Sequence, residues 1–112
     1  MPVDPAKTDI AEFHKLLKSS KRVLALCGAG MSVASGLTTF TGRGTMYRGQ
    51  YSAQISTTHT FMQNPGLVWQ FLASRRHEAL QAQPNACHLA LTEFARKKRR
   101  DFMCLSQNID GT

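Results

Sequence analysis

The sequence predicts an α/β protein built on a parallel sheet with flanking helices. Three observations lead there. Two short apolar runs, Val23-Leu24-Ala25-Leu26-Cys27 and Phe102-Met103-Cys104-Leu105, have the length and bounded character of buried strands. The long helical stretches between them are what parallel strands need, whereas hairpins would need only a tight turn. The first run also ends in Gly28-Ala29-Gly30-Met31-Ser32-Val33-Ala34-Ser35-Gly36. In α/β proteins a glycine turn between strand and helix brings backbone N–H groups close to a phosphate: the first glycine allows the tight turn and the second admits the close approach.

The elements follow in order. Residues 8–20 read as a helix capped by Asp9, with Glu12 three residues on and Ile10, Phe13, Leu16 and Leu17 on one face. The first strand, the glycine turn and a short helix ending at Gly36 come next. Residues 38–60 are rich in Gly, Ser and Thr without a clear period and read as a long loop, with room for a short helical piece. Asn64-Pro65 is a helix start, with Asn as cap and Pro in the first turn. Leu67, Val68, Phe71 and Leu72 give that helix an apolar stripe, and it runs toward Gln83. Pro84-Asn85 interrupts. A further helix from Ala86 to Lys98 turns Cys87, Ala90, Leu91 and Phe94 inward, and the second strand follows. No internal repeat or low-complexity tract is visible.

Composition narrows the class. At 112 residues the chain is one domain at most, and 42% hydrophobic content fits a globular rather than a disordered protein. The apolar runs fall far short of the roughly 20 residues of a membrane span. Met1-Pro2-Val3-Asp4 lacks the basic and apolar regions of a signal peptide. Three cysteines, Cys27, Cys87 and Cys104, form no CxxC pair. They suit a reducing, intracellular compartment, with nucleus, cytoplasm and mitochondrion undistinguished. Within apolar strands, Cys27 and Cys104 read as small buried hydrophobes.

The net charge of +7 is concentrated in Arg96-Lys97-Lys98-Arg99-Arg100. Cations at a helix C-terminus meet the negative end of its dipole, so a solvated helix end accounts for them. A nucleic-acid patch is the sharper alternative, but no interleaved aromatics support it.

The glycine segment departs from the generic dinucleotide fingerprint: Val33 stands at the third glycine, and 44–60 hold no acidic residue for a ribose. Taken alone it is equally a plain strand-to-helix turn. A second motif, Gln107-Asn108-Ile109-Asp110-Gly111, follows the second strand. Alone, Asn108 and Asp110 would be an Asx-type turn. Ligands in open α/β sheets bind beyond the carboxyl ends of the strands. Both motifs sit at such ends, so they are expected to face one crevice.

GAG-x-S-x-x-SG followed by QNIDG resembles the sirtuin family of NAD-dependent protein lysine deacylases. The segments Phe61-Met62-Gln63-Asn64-Pro65, Trp69 with Phe71, and Pro84-Asn85-Ala86-Cys87-His88 are similar to that family's middle part. The resemblance implies a partial Rossmann-like sheet, with residues 1–20 an N-terminal helix and 21–112 the N-terminal half of an NAD-binding domain. It implies NAD as cofactor, held by Gly28, Ala29, Gly30, Ser32, Ser35, Thr39, Phe40, Tyr47, Gln107, Asn108, Ile109 and Asp110. Backbone N–H groups of Ala29 and Gly30, with the hydroxyls of Ser32 and Ser35, suit pyrophosphate. Gln107 and Asn108 are implied toward the ribose and a bound water, Asp110 toward the carboxamide, and Ile109 against the ring.

Three departures from the family pattern stand out. Phe40-Thr41-Gly42 replaces a Phe-Arg-Gly, with Arg43 two residues beyond the missing arginine. The Tyr-x-x-Arg pair of sirtuins that remove acidic acyl groups is represented by Leu72 and Arg75, the candidate substrate contacts. The family's catalytic histidine and zinc cysteines have no counterpart through Thr112: His14, His59 and His77 lie elsewhere, and His88 at its helix start reads as structural. The expectation is therefore an NAD-binding half-site with neither a general base nor the roughly four ligands of a zinc site, inactive alone. Its partners would be acyl-lysine proteins in a complete enzyme and a chain that completes the sheet. The alternatives are a non-catalytic module for NAD or ADP-ribose and an inert fragment with a basic surface.

Overall fold

A computed structural model describes residues 9–39 and 45–112. Helix α1, Ile10–Ser19, starts where Asp9 accepts hydrogen bonds from the N–H groups of Ala11 and Glu12 at 2.9 and 3.1 Å. Strand β1, Val23–Cys27, leads into a 3-10 helix, Ala29–Ser35, which Gly36 ends in the left-handed conformation at φ 89°. That φ is the reason for a glycine at 36. Gly28 has an extended backbone with φ −116°, so no tight left-handed turn calls for the first glycine of the motif.

The segment expected as a loop is structured in part. Strands β2, Met46–Tyr47, and β3, Gln50–Tyr51, pair as an antiparallel hairpin. Its turn residues Arg48 and Gly49 both have positive φ, 49° and 79°, as a two-residue turn matching the strand twist requires. Helices α2, Ser52–Ile55, and α3, Thr58–Gln63, follow. Two-residue strands and a one-turn helix are too short to show a period, which is why the sequence read as a loop.

Helix α4, Pro65–Gln81, opens on the expected cap, with Asn64 accepting from the Leu67 N–H at 3.1 Å. Helix α5, Ala86–Lys98, matches its expected bounds. A 3-10 turn, Arg99–Asp101, then feeds strand β4, Phe102–Ser106. β4 pairs in parallel with β1, Val23 opposite Phe102 through Cys27 opposite Ser106.

Among the described residues the buried apolar side chains are Ile55, Val68 and Phe71, with Tyr47 and Leu67 packed against them. Tyr47 meets Phe71 edge to face at 5.4 Å between ring centres, joining the hairpin to α4. Leu72, expected in the same stripe, is exposed. On the sheet, α5 covers one face, where Phe94 stands edge-on to Phe102 at 5.0 Å. Leu24, Leu26, Met103 and Leu105 make the opposite face and are exposed. The continuous apolar runs implied burial on both faces; among the described residues one face is partly covered by α5 and the other is open. Cys104, Cys87 and Ala90 are exposed as well, against expectation, and Cys27 is half-buried.

Candidate functional site

Both motif loops leave the carboxyl ends of β1 and β4, which are adjacent strands, so parallel pairing alone brings them side by side. The Gln107 N–H donates to the Cys27 carbonyl at 3.0 Å, extending the ladder one step past the strands. The Asn108 amide donates to the Gly28 carbonyl at 3.0 Å. Ser32, 1% exposed, donates its hydroxyl to Asp110 Oδ2 at 2.8 Å. Direct bonds between the two motifs therefore bridge the strand ends and join the two loops into one unit.

A third segment locks this junction. Asn85 caps α5, its Oδ1 accepting from the Cys87 N–H at 2.9 Å, while His88 Nδ1 accepts from the Asn85 N–H at 3.1 Å. The Asn85 amide nitrogen reaches across to the glycine segment, donating to the Met31 carbonyl at 2.8 Å and to Ser35 Oγ at 3.0 Å. On the other side of its ring, His88 Nε2 lies 3.2 Å from Thr112 Oγ1. Thr112 in turn donates its N–H and hydroxyl to Asp110 Oδ1 at 2.9 and 2.6 Å. Ser32, Ser35, Asn85, His88, Asp110 and Thr112 thus form one polar network joining three stretches of chain.

Desolvation pushes the Asp110 carboxyl up, but the hydrogen bonds from Thr112 and Ser32 and the charge of His88 pull harder, so its pKa lies below the ordinary 3.8. A carboxylate held this way stays ionised at neutral pH. It has lone pairs beyond the three bonds it accepts, enough to take a further N–H from a ligand.

A cavity of about 620 Å³ opens beside the junction, lined by Ala29, Leu37, Leu72, Arg75, Arg76, Glu78, Ala79, Leu80 and residues 107–111. The structure brings Gln107, Asn108, Ile109, Asp110, Ala29, Leu72 and Arg75 to this one space. Ile109 is 84% exposed, an apolar side chain standing at its rim. A Cβ on Gly30 would meet nothing within 4 Å, so the second glycine faces open space. The N–H groups of Ala29 and Gly30 precede the first bond of the 3-10 helix, Met31 N–H to the Gly28 carbonyl at 3.1 Å, and so are not used by that helix.

Other expected contacts go elsewhere. The Ser32 hydroxyl donates to Asp110, while Ser35 Oγ accepts from Asn85, so both serines brace the loop. Tyr47 sits in the core, against a separate cavity of about 450 Å³ with Thr38, Phe71 and Arg75. Thr39 is half-buried in the chain after the 3-10 helix, and Phe40, Thr41 and Arg43 lie outside the described residues. Arg75 donates to the Thr38 hydroxyl and, at 3.0 Å, to its carbonyl. It also pairs with Glu78 at 3.1 Å and lies over the Phe71 ring at 5.6 Å, so its guanidinium anchors the chain after Gly36. In the basic run, Arg96 and Lys97 pair with Glu93 at 2.7 and 3.5 Å, and Lys98 donates to the Ser20 carbonyl at 2.8 Å.

Asn85 and Thr112 were not among the expected site residues. The signal for Asn85 was present: an Asn directly before an apolar-periodic run is a cap, although its second bond, to the glycine segment, is tertiary. Thr112 two residues after Asp110 is the spacing of an Asx turn. Among the described residues no group of three or more His, Cys, Asp or Glu side chains could hold a metal. No helix among them is long and apolar enough to cross a membrane.

Comparison with known proteins agrees with this geometry. The sequence model described as the Sir2 family matches residues 28–112. An NAD-dependent protein deacylase of Candida albicans is 39% identical over 103 residues, 91% of this chain and 34% of that protein. The mitochondrial NAD-dependent protein deacylase sirtuin-5 of Canis lupus familiaris is 38% identical over 106 residues, 92% of this chain and 34% of that protein. The chain thus spans about a third of the length of these relatives. Among solved structures, a Sir2 homologue mutant in complex with 2′-O-acetyl ADP ribose superposes with a TM-score of 0.76 at 33% identity, covering 87% of this chain and 40% of that one. A Sir2 complex with a deacetylated peptide and 3′-O-acetyl ADP ribose gives 0.74 at 31% identity, covering 92% and 41%.

Proposed function

The chain belongs to the Sir2 family, and from that premise we propose that it supplies the NAD-holding part of a protein lysine deacylase. The proposed substrates are acyl-lysine side chains of proteins. One observation carries the reading: the hydrogen bonds from Ser32 to Asp110 and from Asn108 to Gly28 weld both motif loops at the edge of one cavity. When bound, NAD would supply an activated glycosidic carbon as the electrophile for acyl transfer. The residues of this chain bind and orient. Asp110, held ionised, accepts a carboxamide N–H, and Asn108 and Gln107 supply donors and acceptors toward the ribose. Ile109 gives the ring an apolar wall, and the N–H groups of Ala29 and Gly30 meet the pyrophosphate. Fit is supported by the donor set and by the open space at Gly30.

The test is an NMR titration with NAD and with ADP-ribose. Saturable shifts at residues 28–30 and 107–110 are expected, with Kd roughly millimolar, about 4 kcal/mol of binding. Gly30→Ala should abolish them while leaving the remaining spectrum in place, because its new methyl meets no protein atom. Saturable binding that Gly30→Ala and Asn108→Ala both leave unchanged would show that the cofactor lies elsewhere.

A further inference from the structure

Cys27 and Cys104 are free thiols on adjacent parallel strands, with sulfurs 3.8 Å apart. Cys104 stands opposite Ala25 and Cys27 opposite Ser106. The two cysteines are therefore diagonal neighbours on the same face of the sheet, the face that α5 packs against. Both line a cavity of about 350 Å³ between that helix and the strands, which gives a small oxidant access to them. Cys27 directly precedes Gly28, and its carbonyl holds the Gln107 N–H. The pair lies at the base of both motif loops. Neither the polar network nor the cofactor reading uses these thiols.

We propose that Cys27 and Cys104 are an oxidation site at which a hydroperoxide converts two thiols into a reversible disulfide linking β1 to β4. Cys104 is the more exposed and reacts first, its sulfur as the nucleophile. Its sulfur takes the terminal oxygen of the peroxide as the O–O bond breaks, giving a sulfenic acid and releasing water or an alcohol. The Cys27 sulfur then bonds to the Cys104 sulfur, and the sulfenic hydroxyl leaves with the Cys27 proton as water. Two thiols are oxidised by two electrons and one peroxide is reduced. Burial raises the Cys27 thiol, as do its hydrogen bond to Cys104 and the charge there, which fits Cys27 as the resolving partner. One strand across (about 4.8 Å) and two residues along (about 3.3 Å each) puts the two Cα atoms roughly 8 Å apart, beyond the usual span of a disulfide. The strands must shift to close the bond, and a bond formed that way is readily reduced. Oxidation would then alter the spacing of the two loops that the strands carry.

The experiment uses the reduced wild-type protein, treated with one equivalent of hydrogen peroxide. Remaining thiols are alkylated and the protein is digested without reductant for mass spectrometry. The expected product is the peptide of Cys27 joined to that of Cys104, with Cys87 alkylated and the link lost on incubation with reduced glutathione. Cys87→Ser should leave it unchanged, whereas Cys27→Ser should abolish it. Accumulation of sulfinic or sulfonic acid at Cys104 with Cys27 still alkylated would overturn the proposal. Disulfides formed chiefly through Cys87 would do the same. Because the mapping is done on the unsubstituted chain, a variant that fails to fold does not obscure the result.

Discussion

Replacing Asn85 separates the cap on α5 from the clamp that the same side chain places on the glycine segment. Asn85→Ala removes the acceptor for the Cys87 N–H, a cap worth about 1 kcal/mol. It also removes the donors to the Met31 carbonyl and Ser35 Oγ, each worth about 1 kcal/mol net. The sum of about 3 kcal/mol, at 1.4 kcal/mol per tenfold, is roughly a hundredfold in a local opening constant. Asn85→Ser keeps a capping hydroxyl but cannot reach across, so it should cost about 2 kcal/mol, or roughly 30-fold. Native-state amide exchange reads this locally. The informative amides are Leu89, bonded to the Asn85 carbonyl, and Met31, Gly36 and Leu37 in and after the 3-10 helix. Both variants should speed exchange at Met31, Gly36 and Leu37, and Asn85→Ala should affect Leu89 more than Asn85→Ser does. If the serine variant exchanges at Met31 and Leu37 within twofold of the wild type, the clamp contributes nothing and the reasoning fails.

Further outcomes follow from the same contacts. The Asp110 pKa is depressed in the fold, so its stabilising contribution is fully present above the ordinary 3.8 and is lost as pH falls through the lower folded value. Asp110→Asn should flatten that acid limb in a pH series of denaturation midpoints, and an unchanged limb would show that another carboxyl carries it. Phe71, 1% exposed, is the hub between α4 and the hairpin. Phe71→Ala should cost about 3–5 kcal/mol and abolish near-ultraviolet dichroism from Tyr47, whereas retained signal and midpoint would show the core to be elsewhere.

Much of the fold is legible in local chemistry. Asp9 and Asn64 announce their helices because a short polar side chain before an apolar stripe satisfies orphan N–H groups. Within the glycine segment, the position that needs a glycine for its backbone is Gly36, at positive φ, rather than Gly28. That difference was hidden because a sequence gives residue types without dihedrals. The hairpin at 46–51 was missed because strands of two residues carry no alternation, and Arg48 at the first turn position is not one of the residues that announce such a turn. Burial was read less well than type. Leu24 and Leu72 are apolar and lie on the expected elements, yet they stand exposed, since hydrophobicity favours burial but cannot say which face finds a cover.

The site divides along the same line. That two motifs would share a crevice followed from sequence, because parallel strands put their carboxyl ends on one side of the sheet. The family resemblance, too, rested on residues in order at the right spacing. Tertiary structure decided the roles within that crevice. Ser32 and Ser35, expected to face a phosphate, turn inward to Asp110 and Asn85, and Arg75 is spent on Thr38 and Glu78. Tyr47 is drawn into the core by Phe71. A hydroxyl or guanidinium offers the same donors to a ligand and to a neighbouring side chain. Which of them it meets depends on what folding brings within 3 Å, and that distance is fixed by the packing of elements far apart in the chain.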